Sequence, residues 1–233
     1  MGRYQQGSLN SNNINDNNIT TTDNVIMTPI NIVPIKVVTI GNSSVGKTSI
    51  IKRLINNSFD TSANSTIGCA FNTLVKEDNN NIYRFQIWDT AGQERFRSLV
   101  PMYINNSNIV LLIYDITSPE SFEEIKKHWY DAVRKLEPRA ELVLVGNKVD
   151  LDWSRRVFTR SAREYAESKG IPYVECSALN KNGLDNLQNI MMEIGNRISN
   201  LPPEPEDNII TVNNENNENI LEKWGCNNVR CVM

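Results

Sequence analysis

A chain of 233 residues is long enough for one domain with a sizeable core, and a net charge of −3 leaves no basic footprint for nucleic acid. The longest uninterrupted apolar run, "IVLLIY" at 109–114, is far too short to span a bilayer, and the opening "MGRYQQGSLN" lacks the apolar core of a secretory signal. Four scattered cysteines (Cys69, Cys176, Cys226, Cys231) without a C-x-x-C pair, and a lone His128, argue against a disulfide framework or a zinc site, so the expected setting is cytosolic.

Three zones differ in composition. Residues 1–33 are rich in Asn and Thr ("NSNNINDNNITTTDN") and predict a disordered arm, because such a sequence buries too little apolar area to offset ordering entropy. Residues 34–200 predict a folded domain. Residues 201–233, rich in Pro, Asn and Glu, predict a flexible tail.

Inside the folded zone, the short bounded apolar runs at 35–40, 109–114 and 142–146 predict buried parallel strands. The stretch "GCAFNTLVKEDNNNIYRFQIWD" predicts two strands around a polar turn, and "IPYVECSA" a further strand. Between them lie helical patterns. With Ser118 as N-cap and Pro119 at the first position, Phe122, Ile125, Trp129, Val133 and Leu136 share one face. Leu184, Leu187, Met191, Ile194 and Ile198 do the same in the last helix, and Gly170 predicts the stop of the helix before "IPYVEC". The sum is a doubly wound α/β domain with a mostly parallel six-stranded sheet, one strand running antiparallel. Ligands of such sheets bind beyond the carboxyl ends of the strands.

Chemical motifs follow those strand ends. "GNSSVGKTS" at 41–49 is G-x-x-x-x-G-K-T between a strand and a helix. Backbone N–H groups of Gly41, Asn42, Ser43, Ser44 and Val45 converge on a phosphate, aided by the positive helix N-terminus. Gly46 allows close backbone approach, Lys47 reaches the β- and γ-phosphates, Thr48 suits Mg²⁺, and Ser49 completes the loop. "WDTAGQERF" ends a second strand: Asp89 is placed to hold Mg²⁺ through water, Gly92 to offer its N–H to a γ-phosphate, and Gln93 to orient a water. In "GNKVD", the Asp150 carboxylate accepts from guanine N1–H and the 2-amino group, neither of which adenine offers, and the Lys148 stem lies over the base beside Asn147. "CSAL" puts Ser177 and the Ala178 N–H near the guanine O6.

Across residues 35–200 these motifs resemble the Ras superfamily of small GTPases, and specifically the Rab family, which implies the P-loop small GTPase fold. "STIGCAF" is similar to the Rab switch I and second strand, and "RFQIWDTAGQERFRSL" with "LIYDITSPESF" to Rab switch II and the following strand and helix. "STIGCAF" and "RSLVPMY" are similar to the endosomal subgroup, "GNSSVGKTSI" to the secretory one, so the subgroup stays open. The resemblance implies that Thr66 binds Mg²⁺ and the γ-phosphate in the GTP state, and that Phe59 packs edgewise on guanine. It implies an effector-recognising triad of Phe71, Trp88 and Tyr103, whose other reading is ordinary core packing. Two positions depart from the common pattern: Ala63 stands where many Rabs carry a switch I tyrosine, and Asn105 where many carry an arginine.

The resemblance also implies geranylgeranylation near the C-terminus. The ending "WGCNNVRCVM" is irregular for it, because position 230, where a C-a-a-X box needs cysteine, is Arg230. The candidates are Cys231 and Cys226; the other reading is two unmodified thiols. The expected protein is a GTP/GDP switch with Mg²⁺ as cofactor and slow intrinsic GTP hydrolysis. Its partners would be a GTPase-activating protein, a guanine nucleotide exchange factor, effectors of the GTP state and, through a prenylated tail, the cytosolic side of a membrane, with a cytosolic pool. Two rivals remain: a P-loop ATPase or small-molecule kinase, and an interaction module that binds GTP without hydrolysing it.

Overall fold

The apolar run ahead of Gly41 forms a central strand of the sheet. In the computed structural model, which describes residues 31–60, 66–78, 81–93 and 98–201, this strand is β1 (Asn31–Ile40). It pairs in parallel with β3 (Asn81–Thr90) on one side and with β4 (Ile109–Asp115) on the other. Beyond β3 lies β2 (Cys69–Asp78), antiparallel to it, and beyond β4 lie β5 (Glu141–Asn147) and β6 (Tyr173–Glu175), both parallel. The order β2-β3-β1-β4-β5-β6 is the doubly wound sheet expected from the sequence, with its one antiparallel strand at an edge.

The helices cover both faces. α1 (Lys47–Asn56) and α6 (Leu184–Ser199) pack on one face, where Ile50, Ile51, Leu187, Met191 and Ile194 meet Ile35, Val37, Ile87 and Val143. On the other face lie α2 (Val100–Ile104), α3 (Pro119–Glu124), α4 (Tyr130–Leu136) and α5 (Thr159–Lys169), packed on Val38, Ile40, Leu112 and Leu144. β4 is buried along its whole length, which explains its unbroken apolar run.

Local signals hold where they rest on capping chemistry. The Ser118 side chain accepts from the Ser121 N–H, with Pro119 at the first helical position, and Gly170 ends α5 in the left-handed conformation. Two expectations need correction. β1 starts at Asn31 rather than Ile35, because its polar residues pair with β3 (Asn31 opposite Asn81) and Val33 is buried. A period-two apolar pattern does not reveal such a polar extension. Leu136 is 44% exposed, although Phe122, Ile125, Trp129 and Val133 are buried as expected. Between α3 and α4 the backbone makes a π-helical turn over Ile125–Trp129; Val133 beyond it is still buried, and Leu136 is the last residue of α4, where the helix ends at Glu137.

Candidate functional site

The loop between β1 and α1 closes on itself through Lys47. This side chain is 5% exposed, and its ammonium donates to the carbonyls of Gly41 (2.9 Å) and Asn42 (2.8 Å). Burial pulls the Lys47 pKa down to about 8, with Asp89 opposing. α1 has no acidic residue in its first turn, so its positive end is not neutralised from within. Gly46 precedes the helix in the left-handed region (φ 95°), and a Cβ there would lie 2.2 Å from the Asn147 amide nitrogen. Only glycine lets the loop sit against Asn147 in this way.

Three oxygens gather beside Lys47. The Thr48 hydroxyl donates to the Asp89 carboxylate (2.6 Å) and lies 2.8 Å from the Thr66 hydroxyl. Thr39 donates to the other Asp89 oxygen (3.3 Å). Burial raises the Asp89 pKa, while the Thr48 hydrogen bond and Lys47 act against it. Two hydroxyls and a carboxylate are hard oxygen donors, a set that suits Mg²⁺ rather than zinc.

Gly92 lies against this cluster. A Cβ at Gly92 would come 2.3 Å from the Lys47 ammonium and 2.4 Å from the Asn42 carbonyl oxygen. Gly92 and Gln93 line a cleft of about 320 Å³ with Gly41, Asn42 and Ser43. The Ala91 N–H donates to the Gly68 carbonyl (2.8 Å), tying the segment after β3 to the one before β2.

A second cleft, of about 340 Å³, opens on the other side of the loop. Ser44, Gly46, Ser49, Phe59, Asn147, Lys148, Asp150 and Ala178 line it, joined by Leu151 and Leu179. Asn147 is 1% exposed and acts as a bracket. Its amide nitrogen donates to the Val45 carbonyl (2.8 Å), and its oxygen accepts from the Ala178 N–H (3.3 Å). The Val45 side chain is buried in the core, so this residue serves the loop through its backbone. Lys148 is left-handed (φ 71°), and its ammonium sits 2.6 Å from Asp115 at the end of β4. Ser177, wholly buried, donates to the Asp150 carboxylate.

The predicted residues therefore fall into two neighbouring groups on either side of one loop. The three aromatic residues form a separate surface. Phe71 is 56% exposed and Trp88 and Tyr103 are half-buried; ring centroids are 5.4 Å apart for Phe71–Trp88 and 5.9 Å for Trp88–Tyr103. That exposure sets Phe71 apart from ordinary core packing. Ala63, Cys226, Cys231, most of the N-terminal arm and nearly all of the tail lie outside the described residues.

Sequence reasoning missed Asp115, Thr39 and Arg53. Asp115 and Asp89 share one signal, a carboxylate at the carboxyl end of a buried apolar strand. Arg53 carried none, since it stands in the last turn of α1, outside every motif.

The Ras family model matches residues 36–200. The chain is similar to Ras-related protein Rab-22A of Homo sapiens, 42% identical over 155 residues, covering 64% of this chain and 78% of that protein. It is 40% identical over 161 residues to Ras-related protein Rab-31 of Homo sapiens, covering 69% and 80%. Against Ras-related protein Rab5 of Nicotiana tabacum it is 38% identical over 151 residues, covering 65% and 74%.

Proposed function

Since the chain belongs to the Ras family and, within it, to the Rab small GTPases, we propose that the two clefts around residues 41–49 are the halves of one guanine-nucleotide site. As a Rab GTPase it hydrolyses GTP to GDP and phosphate and takes part in vesicle-mediated transport. Ras-family GTPases use GTP, GDP and Mg²⁺, and the donor set of Thr48, Thr66 and Asp89 fits that ion.

The loop N–H groups and Lys47 hold the phosphates. On binding, the Lys47 ammonium exchanges its two carbonyl partners for phosphate oxygens, so the loop is prepared for the anion without a new charge being brought in. Thr48 and Thr66 would hold Mg²⁺ directly and Asp89 through water; the ion supplies neutralisation of the charge developing on the phosphate oxygens. Gln93 orients the attacking water in the cleft it shares with Gly92. Phosphoryl transfer through a loose transition state needs this positioning more than a strong base. In the other cleft Asp150 accepts from guanine N1–H and the 2-amino group. Lys148 lies along the base, Phe59 meets its edge, and Ala178 N–H reaches O6.

Thr66 and Gly92 both belong to segments that the γ-phosphate orders and hydrolysis releases. An exchange factor and a GTPase-activating protein drive that cycle, and the Phe71–Trp88–Tyr103 surface receives effectors of the GTP state. Prenylation at Cys231 and Cys226 would hold the protein at the cytosolic face of an intracellular membrane, with a cytosolic pool. Family membership supports this anchoring, and intact-mass analysis of protein from native cells tests it.

The observation that carries the nucleotide reading is the position of residues 41–49 between the oxygen cluster and the Asp150 cleft. The test is exchange of fluorescent GDP against unlabelled GDP and ADP, with single-turnover hydrolysis of GTP. Displacement by GDP alone is expected. Equal displacement by ADP would favour the ATPase or kinase reading.

A further inference from the structure

Arg53 stands in the last turn of α1, and each of its three guanidinium nitrogens donates to a backbone carbonyl. Nε donates to the Ala178 carbonyl (2.8 Å), Nη2 to the Leu179 carbonyl (2.7 Å) and Nη1 to the Asn57 carbonyl (2.9 Å). The planar group also lies 5.7 Å from the centroid of Phe59, a wall of the base cleft. No carboxylate pairs with it among these contacts. The positive charge is spent on backbone carbonyls of a loop 125 and 126 residues away in sequence.

Those carbonyls belong to the same peptide units as two N–H groups that matter. The peptide after Ala178 carries the Leu179 N–H, and the one after Leu179 carries the Asn180 N–H. Both donate to the Ser177 hydroxyl, at 3.1 and 3.2 Å. With two donors already directed at its oxygen, the Ser177 hydroxyl has its own hydrogen to give, and that hydrogen goes to the Asp150 carboxylate. Hydrogen bonds in such a chain polarise one another in the same sense. A cation at the carbonyl end makes both N–H groups stronger donors. The serine hydroxyl in turn becomes a stronger donor to the carboxylate.

We infer that Arg53 is a positioning residue for the base-reading carboxylate, acting through the 178–180 peptides and Ser177 to fix Asp150. It does not touch the nucleotide phosphates or the reacting atoms. Because it also lies against Phe59, one side chain of α1 sets both the floor and the wall of the base cleft. This inference rests on the reading that Asp150 recognises guanine. Lysine cannot replace arginine fully here, because a single ammonium cannot span two successive carbonyls as the planar fork does.

The test measures dissociation rates of fluorescent GDP and of the corresponding inosine nucleotide, in Mg²⁺, from the full chain. The inosine base lacks the 2-amino group and so makes only one of the two bonds to Asp150. Arg53→Ala is expected to speed GDP release about fivefold and inosine nucleotide release less, narrowing the preference between them. Arg53→Lys should fall between Arg53→Ala and the wild type. Combined with Ser177→Ala, Arg53→Ala should add little to the serine change alone, since both break one chain. A merely structural role would speed both nucleotides equally and add fully to Ser177→Ala; either outcome overturns the inference. If Arg53→Ala does not fold, the Arg53→Lys ratio decides, and an unchanged ratio rejects the relay. Asp150→Asn serves as the reference, expected to lower GDP affinity more than tenfold and to favour xanthosine nucleotides. If that variant keeps its guanine preference, the base reading itself fails. If it switches while the Arg53 ratios stay flat, only the relay fails.

Discussion

The ammonium of Lys148 lies 2.6 Å from the carboxylate of Asp115, the last residue of the neighbouring strand. Asp115 is 6% exposed and also accepts from the Thr117 N–H (2.8 Å) and hydroxyl (2.7 Å). The pair explains how a long, flexible lysine in a left-handed backbone comes to border the Asp150 cleft in one posture. Asp115→Asn keeps the shape and removes the charge. It is expected to cost about 1–2 kcal/mol of stability and to speed GDP release roughly threefold, read from urea unfolding and fluorescent-nucleotide dissociation.

Thr48 offers one hydroxyl to both Asp89 and Thr66, so its replacement removes the centre of the oxygen cluster. Thr48→Asn is expected to raise the Mg²⁺ concentration needed for half-maximal GTP binding by about tenfold, equivalent to 1.4 kcal/mol. Chelating Mg²⁺ from the wild type should speed GDP release by a similar factor or more. Release that ignores chelation would show that these oxygens do not hold the ion.

Gln93→Leu keeps a side chain of similar bulk and removes the amide of a residue that lines the cleft beside Gly92. Single-turnover GTP hydrolysis is expected to fall by about tenfold or more, with GDP affinity within about twofold of wild type. Equal hydrolysis by the two proteins would take Gln93 out of the mechanism.

Gly92→Ala introduces a methyl where the Asn42 carbonyl oxygen would be 2.4 Å away and the Lys47 ammonium 2.3 Å away. The lysine end can swing aside, but the backbone carbonyl cannot do so cheaply. The variant should lose about 1–3 kcal/mol of stability and lose affinity for a non-hydrolysable GTP analogue more than for GDP. Parallel calorimetric titrations with the two nucleotides check the difference.

The mostly parallel sheet, its one antiparallel strand and the P-loop were legible because each rests on a short local pattern: bounded apolar runs, a polar turn, glycines flanking a lysine; the order of the strands was not. The residues that hold the site rigid were harder to see. Thr39 and Asp115 act across neighbouring strands, and Arg53 acts across 125 residues of sequence, so their partners become visible only when the sheet brings them together. The exposed Leu136 failed for a different reason. Its place on the face assumed that the helix runs on past it, but α4 ends at Leu136 and the chain leaves helical geometry at Glu137, so the last turn has less to pack against than Val133.

The sheet order also sets what can vary independently. The segments that carry Thr66 and Gly92 flank the β2–β3 edge, together with the Phe71 and Trp88 surface, while Asn147, Asp150 and Ser177 follow β5 and β6 at the opposite edge. The buried carboxyl half of β1 and the wholly buried β4 stand between the two edges. On the proposed reading, substitutions on the outer side of β2 change which protein is met without disturbing which base is accepted. A lineage of such chains can diversify its associations freely while its choice of nucleotide stays fixed.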